Sequence, residues 1–206
     1  MLGSVSKSTR KVARRTLRRM EEDGVQWKIV NPDDTARAAR VLMALHWESW
    51  QGREIDPIHR SQWFESQMTS IIRRIVASDY GGVNEFWKDG EVIMSSFWLS
   101  HGDFFGAYLV GASQEALRRY QVSSIFQRYD LKICESRNNR TLSMLRGEEP
   151  YKLRWNPEIV ANSRVFFGLR PFSTRLYVAY RTARSIYTDS APGWIKDTVK
   201  RLRAND

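Results

Sequence analysis

Three short runs rich in β-branched and aromatic residues follow one another with almost nothing between them: Val83 to Trp87, Val92 to Leu99 and Phe104 to Val110. Asp89-Gly90 lies between the first two, and an Asp-Gly pair flanked by such runs is a strong local signal for a hairpin turn. His101-Gly102-Asp103 reads as the turn before the third. A chain with this centre builds an antiparallel meander, and the remaining segments must be arranged around it.

Those segments read mainly as helices. Residues 8–23 form a basic helix of thin apolar content (Val12, Ala13, Leu17, Met20), stopped at Gly24. Val25 to Val30 reads as a short strand. Asn31-Pro32 opens the next helix, with Asn31 as cap and proline in the first position. Its apolar spacing runs through Ala38, Leu42, Leu45 and Trp50. A helix over 58–78 carries Phe64, Met68, Ile71, Ile72 and Ile75 on one face, and Gly81-Gly82 closes it. After the meander come a helix over 122–137, a strand from Thr141 to Leu145, and a strand candidate from Ser163 to Leu169. The tail, 171–189 and 192–204, reads as helical, with Pro171 and Pro192 near the starts. The order predicts an α+β fold: a mostly antiparallel central sheet flanked by helices, with basic helical extensions at both ends. The expected divisions are 1–24, a basic N-terminal arm; 25–170, the central domain; and 171–206, basic amphipathic helices.

The 206 residues include 8 Trp, 8 Tyr and 9 Phe, which excludes a wholly disordered chain. The single Cys134 excludes an intramolecular disulfide, and no Cys/His group has zinc spacing, so no metal is expected. With no apolar run of about 18 residues and no apolar leader, the expectation is a cytoplasmic protein. The net charge of +10 is uneven. Residues 1–20 hold seven bases and no acid, residues 164–206 nine bases and three acids, and the middle 17 bases and 20 acids. Basic arms favour anionic lipid, nucleic acid or a polyphosphate cofactor, or they pack on another subunit or domain. In the tail, Leu176, Tyr177, Tyr180, Ile186, Trp194, Ile195, Val199 and Leu202 lie among bases, which suits subunit packing or peripheral membrane contact.

The most specific stretch follows the strand at 141–145: Leu145-Arg146-Gly147-Glu148-Glu149-Pro150-Tyr151-Lys152-Leu153-Arg154-Trp155. It gathers a glycine, charges of both signs and two aromatics at a strand end, where rigid structure can hold polar groups at an exposed edge. It also reads as a charged loop tethered by Tyr151 and Trp155. Here the sequence resembles a known family. Arg146, Gly147, Glu149, Tyr151, Lys152 and Trp155 match the hallmark of the cellulose-biosynthesis-associated acetyltransferases, members of the GNAT (general N-acetyltransferase) superfamily related to the Fem-type peptidyltransferases. Leu45-His46 with Trp50 resembles the family's Leu-His…Trp helix, and the basic helix resembles its arginine-rich segment. The chain departs from the family pattern at Ser143, Ser49 and Val122-Ser123-Ser124, and it is shorter by about one GNAT-like half.

The resemblance implies a GNAT-like acyltransferase domain that uses acetyl-CoA or another acyl-CoA and needs no metal. Its pyrophosphate site would lie between the third meander strand and the next helix, around Gly111, Ser113, Arg118, Arg119, Ser123 and Ser124, where helix N–H groups favour anions. Ser123 and Ser124 read equally as ordinary helix caps. Tyr151 falls where many GNAT enzymes keep an acid for the leaving thiolate, or is a structural tyrosine. Glu149 acts on the amine or pairs with Lys152 three residues on. Arg146, Lys152, His46 and Trp50 would face the substrate, although His46 also reads as a core histidine. The implied acceptor is a small-molecule or saccharide amine. Alternatives are aminoacyl transfer from a charged tRNA and a non-catalytic binding module; a homo-oligomer or a separate N-terminal half would complete the structure.

Overall fold

The computed structural model describes residues 5–52, 57–147, 149–161 and 171–190. Two compact units divide the chain, Met1–Glu158 and Ile159–Asp206.

In the first unit the central meander forms as its turns require. Strands β2 (Gly81–Lys88), β3 (Glu91–His101) and β4 (Phe104–Ala112) pair antiparallel in sequence. Lys88 pairs with Glu91, so Asp89-Gly90 is a two-residue turn, with both residues at positive φ (51° and 84°). That conformation is what Asp-Gly tolerates and most pairs do not. Strand β1 (Gln26–Ile29) adds antiparallel to β2, and β5 (Thr141–Ser143) adds parallel to β4, giving the order β1-β2-β3-β4-β5.

Helix α1 (Lys7–Glu22) begins at Ser6, whose side chain accepts from Thr9 N–H. Asn31 makes no capping bond; a single 3-10 turn, Pro32–Asp34, stands between it and α2 (Thr35–Ser49). A second 3-10 turn, Pro57–Arg60, precedes α3 (Gln62–Ala77), capped by Ser61. Gly81-Gly82 does not close that helix: both residues are in β2. A side chain at Gly81 would meet Trp98 O at 2.3 Å, and one at Gly82 would meet the Trp98 ring at 2.3 Å. Gly82 makes room for the indole and Gly81 for the Trp98 backbone and Ile75, a packing requirement that a turn-based reading misses. A six-residue helix, α4 (Gln114–Arg119), comes before α5 (Val122–Ser136), and one turn, α6 (Pro150–Leu153), follows β5.

Val83, Phe97 and Leu109 lie side by side across β2, β3 and β4 and join Leu42, Met43 and Ile72 of α2 and α3 in one core. Phe86, Met94 and Ala112 form a second cross-strand row, with Met20 of α1 and Ile125 and Phe126 of α5. Trp98 and Phe105 stack at 5.5 Å beside Ile133 and Cys134, so these aromatics are core. β4 carries the irregularity that matters most. Phe97 pairs with Leu109 and Trp98 with Ala107, which leaves Tyr108 as an extra residue, a β-bulge. Tyr108 is 53% exposed.

In the second unit, α7 (Pro171–Ser190) exposes Leu176, Tyr177, Val178 and Tyr180. The strand candidate over 163–169, the helix over 192–204 with Trp194, Ile195, Val199 and Leu202, and the side chain of Ile186 lie outside the described residues. Among the described residues no helix is long and apolar enough to cross a membrane, and no group of His, Cys, Asp and Glu could hold a metal ion.

Candidate active site

β4 and β5 are paired only from Phe104 to Gly106, opposite Thr141 to Ser143. Past Gly106 the outer edge of β4 belongs to α2. His46 Nδ1 lies 2.8 Å from Val110 O, so Nδ1 donates and Nε2 is left facing His59 Nδ1 at 3.4 Å. Ser49 Oγ accepts from Ala112 N–H at 2.8 Å, and its hydroxyl lies 2.7 Å from Leu45 O and 3.1 Å from Ala112 O. Glu48 Oε1 accepts from Gln114 N–H at 2.7 Å, and Gln114 Nε2 donates back to Glu48 O. Strand residues turn both backbone groups to one side in alternation, so Val110 and Ala112 share this edge while Ser113 N–H bonds Ile93 O across the sheet. Gly111 permits the approach: a Cβ there would stand 2.5 Å from His46 N and 2.7 Å from Leu45 C. Burial holds the His46 pKa below its usual value, against the pull of Val110 O.

An open cavity of about 700 Å³, with polar and apolar residues in its lining, lies at the start of α5. Gln121, Ser123 and Ser124 line it at the start of α5, Tyr151 from α6, Arg154 from just past it, Val12 from α1, Leu153 and Trp155 beside them, and Ser6, Ser8 and Thr9 from the start of α1. Gln121 stands in the cap position of α5 without a side-chain capping bond. The first N–H groups of a helix are unsatisfied from within it, and the helix dipole makes that end attractive to anions.

The segment entering α6 is folded on itself. Lys152 is buried; its Nζ lies 2.8 Å from Glu149 Oε2 and donates to Arg146 O. The Glu149 carboxylate lies over Gly147, where a Cβ would meet Oε2 at 2.5 Å, and Gly147 has φ +102°. The Arg-Gly…Glu…Lys spacing therefore encodes a closed loop. The hydrogen bond from Lys152 keeps the Glu149 pKa below the usual carboxylate value. Burial, with Glu149 adding its charge, pushes the Tyr151 hydroxyl up.

The cavity thus brings together Ser123, Ser124 and Tyr151. The other expected residues stand apart from it. Gly111 lies beneath α2, and Ser113 caps α4, accepting from Ala116 N–H. Arg118 is exposed on α4, while the Arg119 guanidinium is taken up by Asp23, whose carboxylate also accepts from Tyr120 Oη at 2.6 Å. Arg119, with Tyr120, holds Asp23 well below the usual carboxylate range, and burial pushes Tyr120 to about 12. Arg146 exposes its side chain and contributes its carbonyl to Lys152. His46 is buried on β4, and Trp50 lies edge-on to its ring at 6.2 Å. Sequence reasoning passed over Arg154, which sits inside the conspicuous 145–155 stretch, and Gln121. It also missed Ser6, Ser8 and Thr9, whose only signal was the serine ahead of a helix.

Fold and site together define an α+β domain in which β4 runs on beyond its short parallel partner β5 and an anion-suited helix end lines a cavity. The sequence model of the acetyltransferase (GNAT) domain matches residues 7–153, from α1 through α6, and the chain belongs to that family. GNAT acetyltransferases use acetyl-CoA and act on an amine-containing acceptor. A search of the curated proteins finds no match. Among solved structures, a possible acetyltransferase from Clostridium difficile 630 is similar at TM-score 0.50 and 14% identity, over 71% of this chain and 99% of that one. A GCN5-related N-acetyltransferase from Ralstonia eutropha JMP134 is similar at TM-score 0.47 and 12% identity, over 68% and 98%. A predicted acetyltransferase with acetyl-CoA from Clostridium acetobutylicum is similar at TM-score 0.46 and 6% identity, over 72% and 97%.

Proposed function

We propose that the domain transfers an acetyl group directly to an amine, with the donor's phosphates held in the cavity at the start of α5 and Tyr151 as the proton donor. The donor set suits a diphosphate: the N–H groups of Val122 and Ser123 at a helix end without a side-chain cap (Ser124 N–H bonds Gln121 O), the hydroxyls of Ser123 and Ser124, and the cation of Arg154. When bound, acetyl-CoA supplies the thioester-linked acetyl group. The chain's own residues do the rest. At neutral pH Tyr151 keeps its proton, as an ordinary tyrosine does. Its Oη can hand that proton to the departing thiolate, and the proton shed by the acetylated nitrogen restores it through solvent. Lys152 neutralises Glu149 and so keeps a free carboxylate charge away from an anion site. Glu149 then acts by positioning Tyr151 rather than by taking the amine proton. The bulge at Tyr108 interrupts the β3–β4 ladder, and a strand N–H released there would receive the charge that grows on a carbonyl oxygen.

The observation that carries this reading is that Ser123, Ser124 and Tyr151, distant in sequence, line one cavity. The 146–155 motif, which resembles the cellulose-biosynthesis-associated acetyltransferases, favours a saccharide amine as acceptor. The test is calorimetric binding of acetyl-CoA combined with turnover on a panel of amino sugars. Tyr151→Phe should bind the donor as wild type does and turn over about 100-fold more slowly. Unchanged turnover would remove the acid role, and no donor binding by the wild type would remove the cavity assignment.

A further inference from the structure

Helix α1 breaks the rules by which a surface helix is ordinarily stabilised. At about 100° per residue, Lys7, Arg10, Lys11, Arg14, Arg15 and Arg18 fall within an arc of about 140°. Along that arc Lys7/Lys11, Arg10/Arg14, Lys11/Arg15 and Arg14/Arg18 are like-charge pairs at i,i+4, each unfavourable to the helix. Lys7 and Arg10 also sit in the first turn, at the positive end of the helix dipole, with no acid beside them. Compensation is slight. Arg18 meets Glu22 at 3.5 Å, and among the described residues no carboxylate is within ion-pair distance of the other five. These six side chains lie together on one face of the helix. The helix is nonetheless firmly seated, because Ala13, Thr16 and Met20 on the opposite face are buried, Met20 with Ile125 and Phe126 of α5. A rigid, self-repelling cationic stripe that the fold keeps in place calls for an anionic counterpart.

We propose that this stripe docks the phosphodiester backbone of a nucleic acid. Charge complementarity is the first argument. Its length is the second: Lys7 to Arg18 spans about 16 Å of helix axis, enough to follow several successive phosphates. Its composition is the third, since four of the six bases are arginines, whose forked donors match phosphate oxygens. Its lack of anything greasy is the fourth. The exposed apolar residue on α1 is Val12, at 44%, and Ala13 and Met20 are spent on the core, so the helix has nothing to insert into a lipid surface. With no exposed aromatic among the stripe residues, it has no platform for stacking bases, and recognition is of the backbone without regard to sequence. The stripe runs from the rim of the acetyl-donor cavity, which Ser8, Thr9 and Val12 also line, but its docking role does not depend on catalysis there.

The experiment is fluorescence anisotropy of the full chain with a labelled 20-base-pair duplex, as DNA and as RNA, over a range of salt. Lipid vesicles with phosphatidylserine and polyglutamate serve as alternative polyanions. The expected result is duplex binding whose logarithmic salt slope is about −5, and at least tenfold weaker binding to polyglutamate and vesicles. Arg14→Glu with Arg15→Glu should lower the slope by about two and weaken binding at least tenfold. Arg73→Glu with Arg74→Glu, exposed on α3, removes the same four charges from the net +10 and should leave the slope unchanged. Circular dichroism checks the fold of each, and Arg14→Gln with Arg15→Gln repeats the test without added acids. Equal losses in the two Glu pairs, equal affinity for polyglutamate, preference for vesicles, or no duplex binding at low salt would each overturn the proposal.

Discussion

The seam between α2 and β4 and the loop between β5 and α6 both sit beside the gap where β4 and β5 part, yet they are built in opposite ways. At the seam, edge groups of β4 are met by His46, Ser49 and Glu48, and Gly111 brings the two backbones into contact. In the loop, Arg146, Glu149 and Tyr151 keep their side chains exposed, and Lys152 alone is buried as the knot. One region commits its polar groups to a long-range contact and resists change; the other closes Glu149 and Lys152 on themselves and so holds Tyr151 at the cavity. A substitution in the first should therefore be read as lost stability, and one in the second as lost activity.

Gly111→Ala is the strongest attempt to break the seam. Its methyl would stand 2.5 Å from a backbone nitrogen, and the backbone of α2 cannot yield as a side-chain tip can. We expect a loss of about 3 kcal/mol, read as a fall in Tm of about 10 °C. His46→Ala strikes the same seam more gently. It removes a buried donor from Val110 O and should cost about 2 kcal/mol in a denaturant titration. On the other side, Lys152→Met frees Glu149 and Arg146 O without opening a cavity. Turnover should fall about tenfold, with Tm within about 3 °C of wild type.

Asp130 tests the core behind the cavity, since the first turn of α5 lines the cavity and its body lies in the core. Asp130 is buried, Oδ1 has no hydrogen-bond partner among the described residues, and burial pushes its pKa to about 8. The unfolded chain releases this proton near pH 4 and the folded chain only near pH 8, so folding is progressively penalised as pH rises between them. Asp130→Asn should remove that slope. Its Tm advantage over wild type should be small at pH 5 and grow to several degrees at pH 8, and an advantage independent of pH would contradict the buried-acid account.

The difference between the regions also explains what the sequence disclosed. Asp89-Gly90 announced the hairpin because a two-residue turn is a local requirement. The 146–152 motif was conspicuous for the same reason: Gly147, Glu149 and Lys152 touch one another within six residues. The seam was silent, since Ser49 and Ala112 are 63 residues apart and Glu48 and Gln114 are 66 apart. Arg119 looked available for phosphate because Asp23, its partner, is 96 residues away. Gly81-Gly82 looked like a helix stop because the indole it accommodates lies on the next strand. The bulge at Tyr108 depends on pairing with β3, which no stretch of β4 reveals alone.

Hydrogen exchange of the full chain, with and without saturating acetyl-CoA, tests the contrast most directly. Amides of 122–125, the β4 edge at 108–110 and residues 151–155 should gain protection, while those of 42–49 in α2, already held by the seam, should exchange unchanged. Protection confined to α2, or absent from the first turn of α5, would contradict the account.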